Sequence, residues 1–316
     1  MKYRILGKSQ LKVSELCFGT LVISPLQANL SQQDGQKLLE FAYDQGITFF
    51  DTAELYQSYT YFKSMPSSKK KSMIIASKSY ASEYDEMMKV IHNGLSEIRR
   101  DYFDIFKLHE QESVLTLKGH QGAINALKDA KKQGKIRAIG ISTHSVKLCQ
   151  QLLLHPEFDV IHPLFNYKAH GYMHGNLKEQ EENLKQLYLA DFGIYVMKPF
   201  GGGRFSFSFQ KAFSYVRDFP FRHSIAIGMK NTEEIIVNIA LLENTFIPGM
   251  EDMLHLSEKK LFYRKTLCAQ CYQCVQACRF GVIHQNKDGG IVIDHDRCVL
   301  CGYCLSQCPH LALRLL

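Results

Sequence analysis

The sequence predicts an α/β chain that consists of a (β/α)8 TIM barrel followed by a small, cysteine-rich α+β domain. Three observations carry this prediction. Strand-like and helix-like segments alternate eight times over the first ~250 residues, as in a barrel. No Gly-x-Gly-x-x-Gly follows an early strand, which disfavours an open dinucleotide-binding sheet. Eight of the 10 cysteines lie beyond residue 267. The predicted organisation is a barrel over 1–250, a connector over 251–266 and a second domain over 267–316.

Near-continuous apolar runs predict the barrel strands, because parallel strands are covered on both faces. The predicted strands are 15–19, 47–51, 73–78, 103–109, 136–142, 159–165, 194–198 and 224–228. Residues 1–14 predict a lead-in hairpin and residues 232–245 the last barrel helix. The segment between Tyr56 and Lys78 is short, so the second helix is expected to be stunted. Its lysines, 69–71, are expected on a solvated loop, with a docking patch for an acidic ferredoxin or flavodoxin as the alternative.

Composition narrows the class of protein. Hydrophobic residues make up 46% of the chain, enough for a large core, yet no apolar run approaches the ~18 residues of a spanning helix. The N-terminal MKYRILGKSQ has no apolar signal region, so a cytoplasmic chain without a membrane partner is expected. In that compartment clustered cysteines indicate metal ligands rather than disulfides. The formal charge of +7 is mild, and no basic stripe interleaved with aromatics predicts a nucleic-acid partner.

The late cysteines form two runs of the pattern C-x2-C-x2-C-x3-C. In such runs the first three thiolates bind one 4Fe–4S cubane and the fourth binds the other. The predicted ligand sets are Cys268, Cys271, Cys274 and Cys308 for one cluster, and Cys298, Cys301, Cys304 and Cys278 for the other. Over about 50 residues the module resembles bacterial two-cluster ferredoxins. Structural zinc is the alternative, but zinc sites usually use two separated C-x2-C pairs.

Four polar residues fall at the predicted carboxyl ends of barrel strands, where such barrels place their chemistry. Asp51 ends the second strand, Lys78 the third and His109 the fourth, and Tyr56 lies on the loop after Asp51. A lysine beside a tyrosine lowers the phenol pKa, and an aspartate keeps the lysine charged. The tyrosine can then exchange a proton with a carbonyl while the histidine orients its oxygen. Lys107 shares strand parity with His109, so it should point inward and needs an acidic partner or a bound anion.

On these residues the chain resembles the aldo-keto reductase family. The match comprises Asp51-Thr52-Ala53 with Tyr56, Lys78 in Ala-Ser-Lys and Asp104 before His109. The resemblance covers roughly residues 1–245, and with its cysteine-rich tail the chain is similar to the iron–sulfur subgroup of that family. It implies a catalytic Asp-Tyr-Lys-His tetrad and carbonyl/alcohol interconversion. Tyr56 would be the proton donor, Lys78 and Asp51 would tune it, and His109 would position the substrate oxygen.

The resemblance also implies a cofactor site after the seventh and eighth strands. The candidate residues are Ser142, Asn166, Lys198, Gly201, Gly228 and Asn238. Several positions depart from the family pattern. Among them, Met197 stands at the nicotinamide-stacking position, and Glu234 precedes Asn238 where an arginine often binds the 2′-phosphate. The turn 201–204 could approach a cofactor phosphate. NAD(P)H, a flavin or the clusters alone therefore remain open as the immediate electron source.

The expected function is an iron–sulfur oxidoreductase that reduces, or reversibly oxidises, a carbonyl or related small organic substrate. Electrons would pass through two 4Fe–4S clusters from an external carrier, a ferredoxin or flavodoxin. Two alternatives stay open. One is an electron-transfer protein whose barrel is a scaffold or docking module, and the other is an NAD(P)H-dependent reductase that exchanges electrons with ferredoxin.

Overall fold

The alternating segments fold into a closed barrel of eight parallel strands, which confirms the predicted fold class. The computed structural model describes residues 1–205, 208–245, 247–253, 260–310 and 312–315. The barrel strands are β3 (Leu16–Gly19), β4 (Phe49–Asp51), β5 (Ile74–Ser79), β6 (Phe103–Leu108), β7 (Ile136–Thr143), β8 (Val160–Pro163), β9 (Gly193–Met197) and β10 (Ser224–Ile227). Neighbours follow chain order, and β10 closes the barrel by pairing with β3.

A hairpin of β1 (Tyr3–Ile5) and β2 (Lys12–Ser14) precedes the barrel, as predicted. The hairpin buries Leu6, Leu11 and Val13 against interior residues of the barrel, including Cys17. These apolar side chains therefore fill the amino-terminal end of the barrel, which leaves the other end for polar chemistry.

Helices surround the strands and pack their apolar faces on them. They are α1 (Gln32–Asp44), α2 (Thr60–Lys63), α3 (Ser67–Ser72), α4 (Tyr84–Ile98), α5 (Val114–Gly119), α6 (Gln121–Lys132), α7 (Val146–Gln151), α8 (Leu177–Leu189), α9 (Phe209–Asp218), α10 (Thr232–Glu243) and, beyond the barrel, α11 (Met250–Met253). N-cap residues in the sequence determine where several of these helices begin. The Ser31 hydroxyl accepts from the Asp34 amide at the start of α1, and Asn176 forms a capping box with Glu179 at the start of α8. Among the described residues no helix is long and apolar enough to cross a bilayer.

The expected loop at residues 69–71 is instead the helix α3, which together with α2 replaces one full-length second helix. Lys70 is buried, and its ammonium donates to the backbone carbonyls of Lys63 (3.0 Å) and Ile98 (3.1 Å). Lys69 pairs with Asp44 at 2.6 Å. The solvated-loop prediction is therefore wrong, and a docking patch made of all three lysines is not available because one of them holds helix ends together.

In its described residues the cysteine-rich module has two short antiparallel sheets and two short α-helices. Its elements are β11 (Leu261–Tyr263), α12 (Gln273–Ala277), β12 (Ile283–Gln285), β13 (Ile291–Ile293), α13 (Tyr303–Ser306) and β14 (Leu313–Leu315). β11 pairs with β14, and β12 pairs with β13. β11 falls inside the predicted connector 251–266, so the module begins earlier along the chain than the cysteines alone indicate. Residues 254–259 of that connector lie outside the described residues.

Candidate active site

The four tetrad residues meet at the carboxyl end of the barrel, as their positions on successive strands predicted. Asp51 ends β4, Lys78 lies near the end of β5 and His109 follows β6, while Tyr56 ends a short 3-10 turn. The Lys78 ammonium donates to Asp51 Oδ1 and, at 3.0 Å, to the Thr52 carbonyl. It lies 4.7 Å from the Tyr56 ring centroid. The acid, the lysine and the phenol are thus in direct contact.

Lys107 and Tyr195 extend this group of polar residues. Strand register sets Lys107 beside Lys78, so two ammonium groups flank one carboxylate. Lys107 donates to Asp51 Oδ2, and the Tyr195 hydroxyl donates to the same oxygen at 2.8 Å. The predicted acidic partner of Lys107 is therefore confirmed as Asp51. The sequence analysis did not single out Tyr195. The signal that could have found it is a hydroxyl-bearing aromatic inside an otherwise apolar strand.

The charges of this group are settled by burial and by the two lysines. Burial opposes ionisation of Asp51, but Lys107 and Lys78 outweigh it and hold the carboxyl pKa well below its usual range. Burial also lowers the pKa of Lys107, and Lys78 adds to that shift while Asp51 opposes it. For Lys78, Asp51 and Tyr56 outweigh burial and raise the pKa. Asp51 is consequently an anion that keeps Lys78 protonated.

Tyr56 differs from the sequence expectation in the direction of its pKa. Burial raises the pKa of Tyr56 to about 12, and the nearby Lys78 only partly opposes this shift. The lysine was expected to lower the phenol pKa, but desolvation of the phenolate is the larger effect because the ring is only 6% exposed. Tyr56 is therefore a protonated phenol over the physiological pH range, the form a proton donor needs.

A cavity of about 1350 Å³, counted with its open mouth, lies above the barrel end. Tyr56, Asp51 and His162 form part of its wall, and Cys301 with neighbouring module residues forms another part. The barrel and the cysteine module therefore share one cavity, with a tetrad phenol and a candidate cluster ligand both lining it.

The candidate cofactor residues divide into two groups. Lys198, Gly228 and Asn238 line the cavity, as do Met197 and Glu234. The structure does not bring Ser142, Asn166 and Gly201 to it. The Ser142 hydroxyl accepts from the Glu110 amide at 2.9 Å. The Asn166 amide bonds the backbone of residues 168 and 170, and Gly201 packs under the Phe205 ring.

The glycine turn 201–203 borders both the cysteine module and the shared cavity, so the approach of a cofactor phosphate to it stays a prediction. Gly202 has φ +74°, and a Cβ there would lie 2.7 Å from the Val299 carbonyl oxygen. Arg204 donates to the Cys298 carbonyl at 3.4 Å, and His170 Nε2 lies 3.2 Å from the same oxygen. Glycine is therefore required at position 202, because the module backbone approaches it closely.

Each predicted cysteine set surrounds its own cavity in the module. One cavity, of about 340 Å³ with its open space, is lined by Cys268, Cys271, Cys274 and Cys308. The other, of about 350 Å³, is lined by Cys278, Cys298, Cys301 and Cys304. Among the described residues no three His, Cys, Asp or Glu side chains are grouped closely enough to hold a single metal ion. The exchange of the fourth cysteine between runs thus fits two cubane sites.

Comparison with known proteins agrees with both parts of this architecture. The model of the aldo/keto reductase family matches residues 15–220. The chain belongs to the aldo/keto reductase family. A 4Fe-4S dicluster domain model matches residues 267–313, so this aldo/keto reductase carries an iron–sulfur domain behind its barrel.

Individual relatives of this aldo/keto reductase are distant. "Probable aldo-keto reductase 1" of Glycine max is 27% identical over 156 residues, 44% of each chain, and aldo-keto reductase YhdN of Bacillus subtilis is 24% identical, over 52% of this chain and 54% of its own. The chain thus spans about half the length of these curated relatives. A solved aldo-keto reductase from Bacillus halodurans covers 81% of this chain and 95% of its own, with TM-score 0.66 and 17% identity, which supports the fold. The module is similar to a subunit of the selenate reductase of Mesobacillus selenatarsenatis, 38% identical over 45 residues, 14% of this chain and 15% of that protein.

Proposed function

We propose that this aldo/keto reductase is an iron–sulfur oxidoreductase that reduces, or reversibly oxidises, a carbonyl or related small organic substrate. Electrons would reach the substrate through two 4Fe–4S clusters. The observation that carries this proposal is the shared cavity, in which the Tyr56 phenol and Cys301 line the same space. A substrate in that cavity would lie between a proton donor and a cluster ligand.

The proton chemistry belongs to the barrel residues. Reduction of a carbonyl to an alcohol takes up two electrons and two protons, one proton at oxygen and one at carbon. The proton at carbon would come from water in the open cavity, or would arrive with both electrons as a hydride from a bound nicotinamide. Tyr56 supplies the proton to oxygen, since it lines the cavity and is protonated at neutral pH. Lys78 stabilises the resulting phenolate, and Asp51 keeps that lysine charged. His109 is 2% exposed and its pKa is well below its usual range, so it acts as a neutral imidazole.

The cysteine sets described above would hold the clusters, which supply single electrons when bound. The set that includes Cys271 lies nearer solvent, since Cys271 is exposed and only Cys274 of that set is buried. In the other set Cys298 and Cys304 are both buried. This order suits delivery from an external carrier, a ferredoxin or flavodoxin, to the shared cavity. Cluster-ligating thiols also suit a reducing compartment such as the cytoplasm.

Carbonyl chemistry needs two electrons, so a two-electron carrier in the same cavity is the alternative supply. Lys198, Gly228 and Asn238 line the part of the cavity where the family resemblance expects NAD(P)H, and a flavin would use the same space. Lys198 has no ion-pair partner within 4 Å among the described residues, and burial lowers its pKa, so an anionic group would be favourable beside it.

The decisive experiment replaces Tyr56 with Phe. Reduced methyl viologen would serve as the electron source under anaerobic conditions, with a panel of aldehydes as probes. We expect aldehyde reduction to fall by about 10²–10⁴-fold, the usual contribution of a general acid. Reduction of the clusters by viologen should be unchanged. Tyr215→Phe is the matched control, because it removes one hydroxyl, bonded to Glu181, away from the cavity. Equal aldehyde turnover in the two variants would instead support a scaffold role for the barrel.

The cofactor content can be read from the same preparation. We expect about eight irons per chain, four for each cubane. Extraction of the anaerobically purified protein distinguishes the electron supplies, because released flavin or nicotinamide identifies the two-electron carrier. Four irons or fewer per chain would contradict the two-cluster assignment.

A further inference from the structure

Residues of the iron–sulfur module contact the tetrad at His109. The Tyr303 hydroxyl lies 3.2 Å from His109 Nε2. The Tyr80 ring stacks on the imidazole, with centroids 4.1 Å apart and planes 17° apart. The Arg279 guanidinium lies over the Tyr80 ring, 3.6 Å from its centroid. Two module residues thus contact the tetrad histidine directly or through one ring.

Both module residues sit beside ligands of the same cysteine set. Tyr303 lies between Cys301 and Cys304, and Arg279 directly follows Cys278. These three cysteines line the cavity that lies nearer the barrel. A shift in the backbone of that set would therefore move Tyr303, which contacts His109, and Arg279, which contacts Tyr80.

The barrel contributes ring contacts to this imidazole, from the stacked Tyr80 and the edge-on Tyr56. Within the part of the chain that the structure describes, His109 Nδ1 is buried without a hydrogen-bond partner, so Tyr303 provides the hydrogen bond of the ring. Tyr303 is itself fixed, because it is 6% exposed and packs with Leu26, Ala53 and Tyr56. Tyr80 is fixed by its hydrogen bond to Glu110. The orientation of His109 consequently depends on packing between the two domains.

His109 also stands away from the open space of the site. Tyr56 and Asp51 line the shared cavity, but His109 is not among its lining residues. Displacement of Tyr303 would leave His109 Nε2 buried and unpaired, which is unfavourable. The contact is therefore better suited to holding the histidine still than to a side chain that swings away.

We propose that Tyr303 and Arg279 are positioning residues for the tetrad, so that the active site is complete only when the nearer cysteine set holds its cluster. This inference rests on the proposed function, in which Tyr56 protonates the substrate oxygen, and His109 packs edge-on against Tyr56 with ring centroids 6.0 Å apart. It assigns the module a second task besides electron supply, which is to orient His109. Loss of the nearer cluster would then impair the tetrad as well as the electron supply.

The test reads the environment of His109 without turnover. Diethyl pyrocarbonate labelling of the anaerobically loaded protein, mapped by peptide mass spectrometry, reports whether each imidazole is protected. We expect Tyr303→Phe to increase labelling of His109 by about tenfold, since loss of the hydrogen bond favours local opening. Exposed His92 is the internal reference, and Tyr215→Phe is the matched control. Removal of the clusters by chelation should produce the same change at His109 in the unmutated chain.

A second variant and a second readout separate positioning from folding. Arg279→Met should increase His109 labelling in the same direction, whereas Arg279→Lys should restore most of the protection. The pH profile of aldehyde reduction should change in Tyr303→Phe and not in Tyr215→Phe. Unchanged labelling in both Tyr303→Phe and Arg279→Met would overturn the proposal, as would an equal increase at His92. Absence of turnover in every protein would remove the proposed function, but the labelling result would still decide the positioning role.

Discussion

At the scale of single residues, Asp51 is the side chain on which the site depends most. It accepts from Lys78, Lys107 and Tyr195, and it is 4% exposed. Removing the carboxylate from this buried group should cost more stability than removing one lysine. Without Asp51, the ammonium groups of Lys78 and Lys107 would face each other. Without Lys107, Asp51 would keep its ion pair with Lys78 and its hydrogen bond from Tyr195.

This asymmetry predicts different costs for Asp51→Asn and Lys107→Met. We expect Asp51→Asn to reduce the free energy of unfolding by about 3–5 kcal/mol, the usual cost of an uncompensated buried charge. Lys107→Met should cost less than about 2 kcal/mol, because Asp51 keeps Lys78 and the Tyr195 hydroxyl while a poorly solvated ammonium is removed. Anaerobic urea denaturation measures both. A larger loss for Lys107→Met than for Asp51→Asn would contradict this account.

Residue chemistry predicted the tetrad better than its electrostatics. Asp51, Lys78 and His109 follow from strand ends, since parallel strands in a barrel deliver their carboxyl ends to one face. The inward direction of Lys107 followed from strand parity. The pKa of Tyr56 could not be predicted, because the direction depends on how deeply the ring is buried. Tyr303 was beyond sequence reasoning, because its contact with His109 spans two domains.

At the scale of elements, the turn 201–203 after β9 is a point where the barrel packs against the cysteine module. Its glycines suggested a phosphate-binding loop, and the lack of a side chain at Gly202 also admits the Val299 carbonyl. Either partner would select glycine for the same reason, close backbone approach. The sequence therefore indicates that something approaches this turn without indicating what it is.

Gly202→Ala should weaken the seating of the module on the barrel. The new Cβ would lie 2.7 Å from the Val299 oxygen, in addition to the strain of φ +74°. Gly134→Ala is the matched control, because its φ is +72° and no atom lies within 4 Å of the added Cβ. We expect limited proteolysis to separate barrel and module faster in Gly202→Ala than in Gly134→Ala. Equal cleavage rates would mean that backbone strain alone matters.

At the scale of the whole molecule, several buried histidines make stability depend on acid. His109, His144 and His162 are buried, and burial first, with nearby lysines second, holds each pKa well below its usual range. In the unfolded chain their pKa is about 6.5. Below that pH the unfolded chain binds more protons than the folded one, so stability falls as the pH falls.

We therefore expect the melting temperature to decrease between pH 6.5 and 5.5 and to change much less between pH 7.5 and 6.5. His144→Asn should reduce this acid dependence, because one of the neutral imidazoles is removed. His92→Asn, at an exposed position, should leave it unchanged. Anaerobic thermal unfolding followed by circular dichroism measures the trend, and visible absorbance shows whether the clusters remain bound. A constant melting temperature across this range would disprove the idea that neutral buried histidines make the protein sensitive to acid.

The closure of the barrel has a consequence for biosynthesis. Leu16 of β3 pairs with Ile225 of β10, so the first barrel strand meets its second neighbour only after most of the chain has been made. Such contacts between distant residues slow folding, and an unpaired strand edge invites association with other chains. During synthesis from the N-terminus, the edge of β3 that pairs with β10 therefore stays unpaired until residues 224–227 have left the ribosome. The cysteines emerge later still, so any cluster would be loaded onto a chain whose barrel can already be closed.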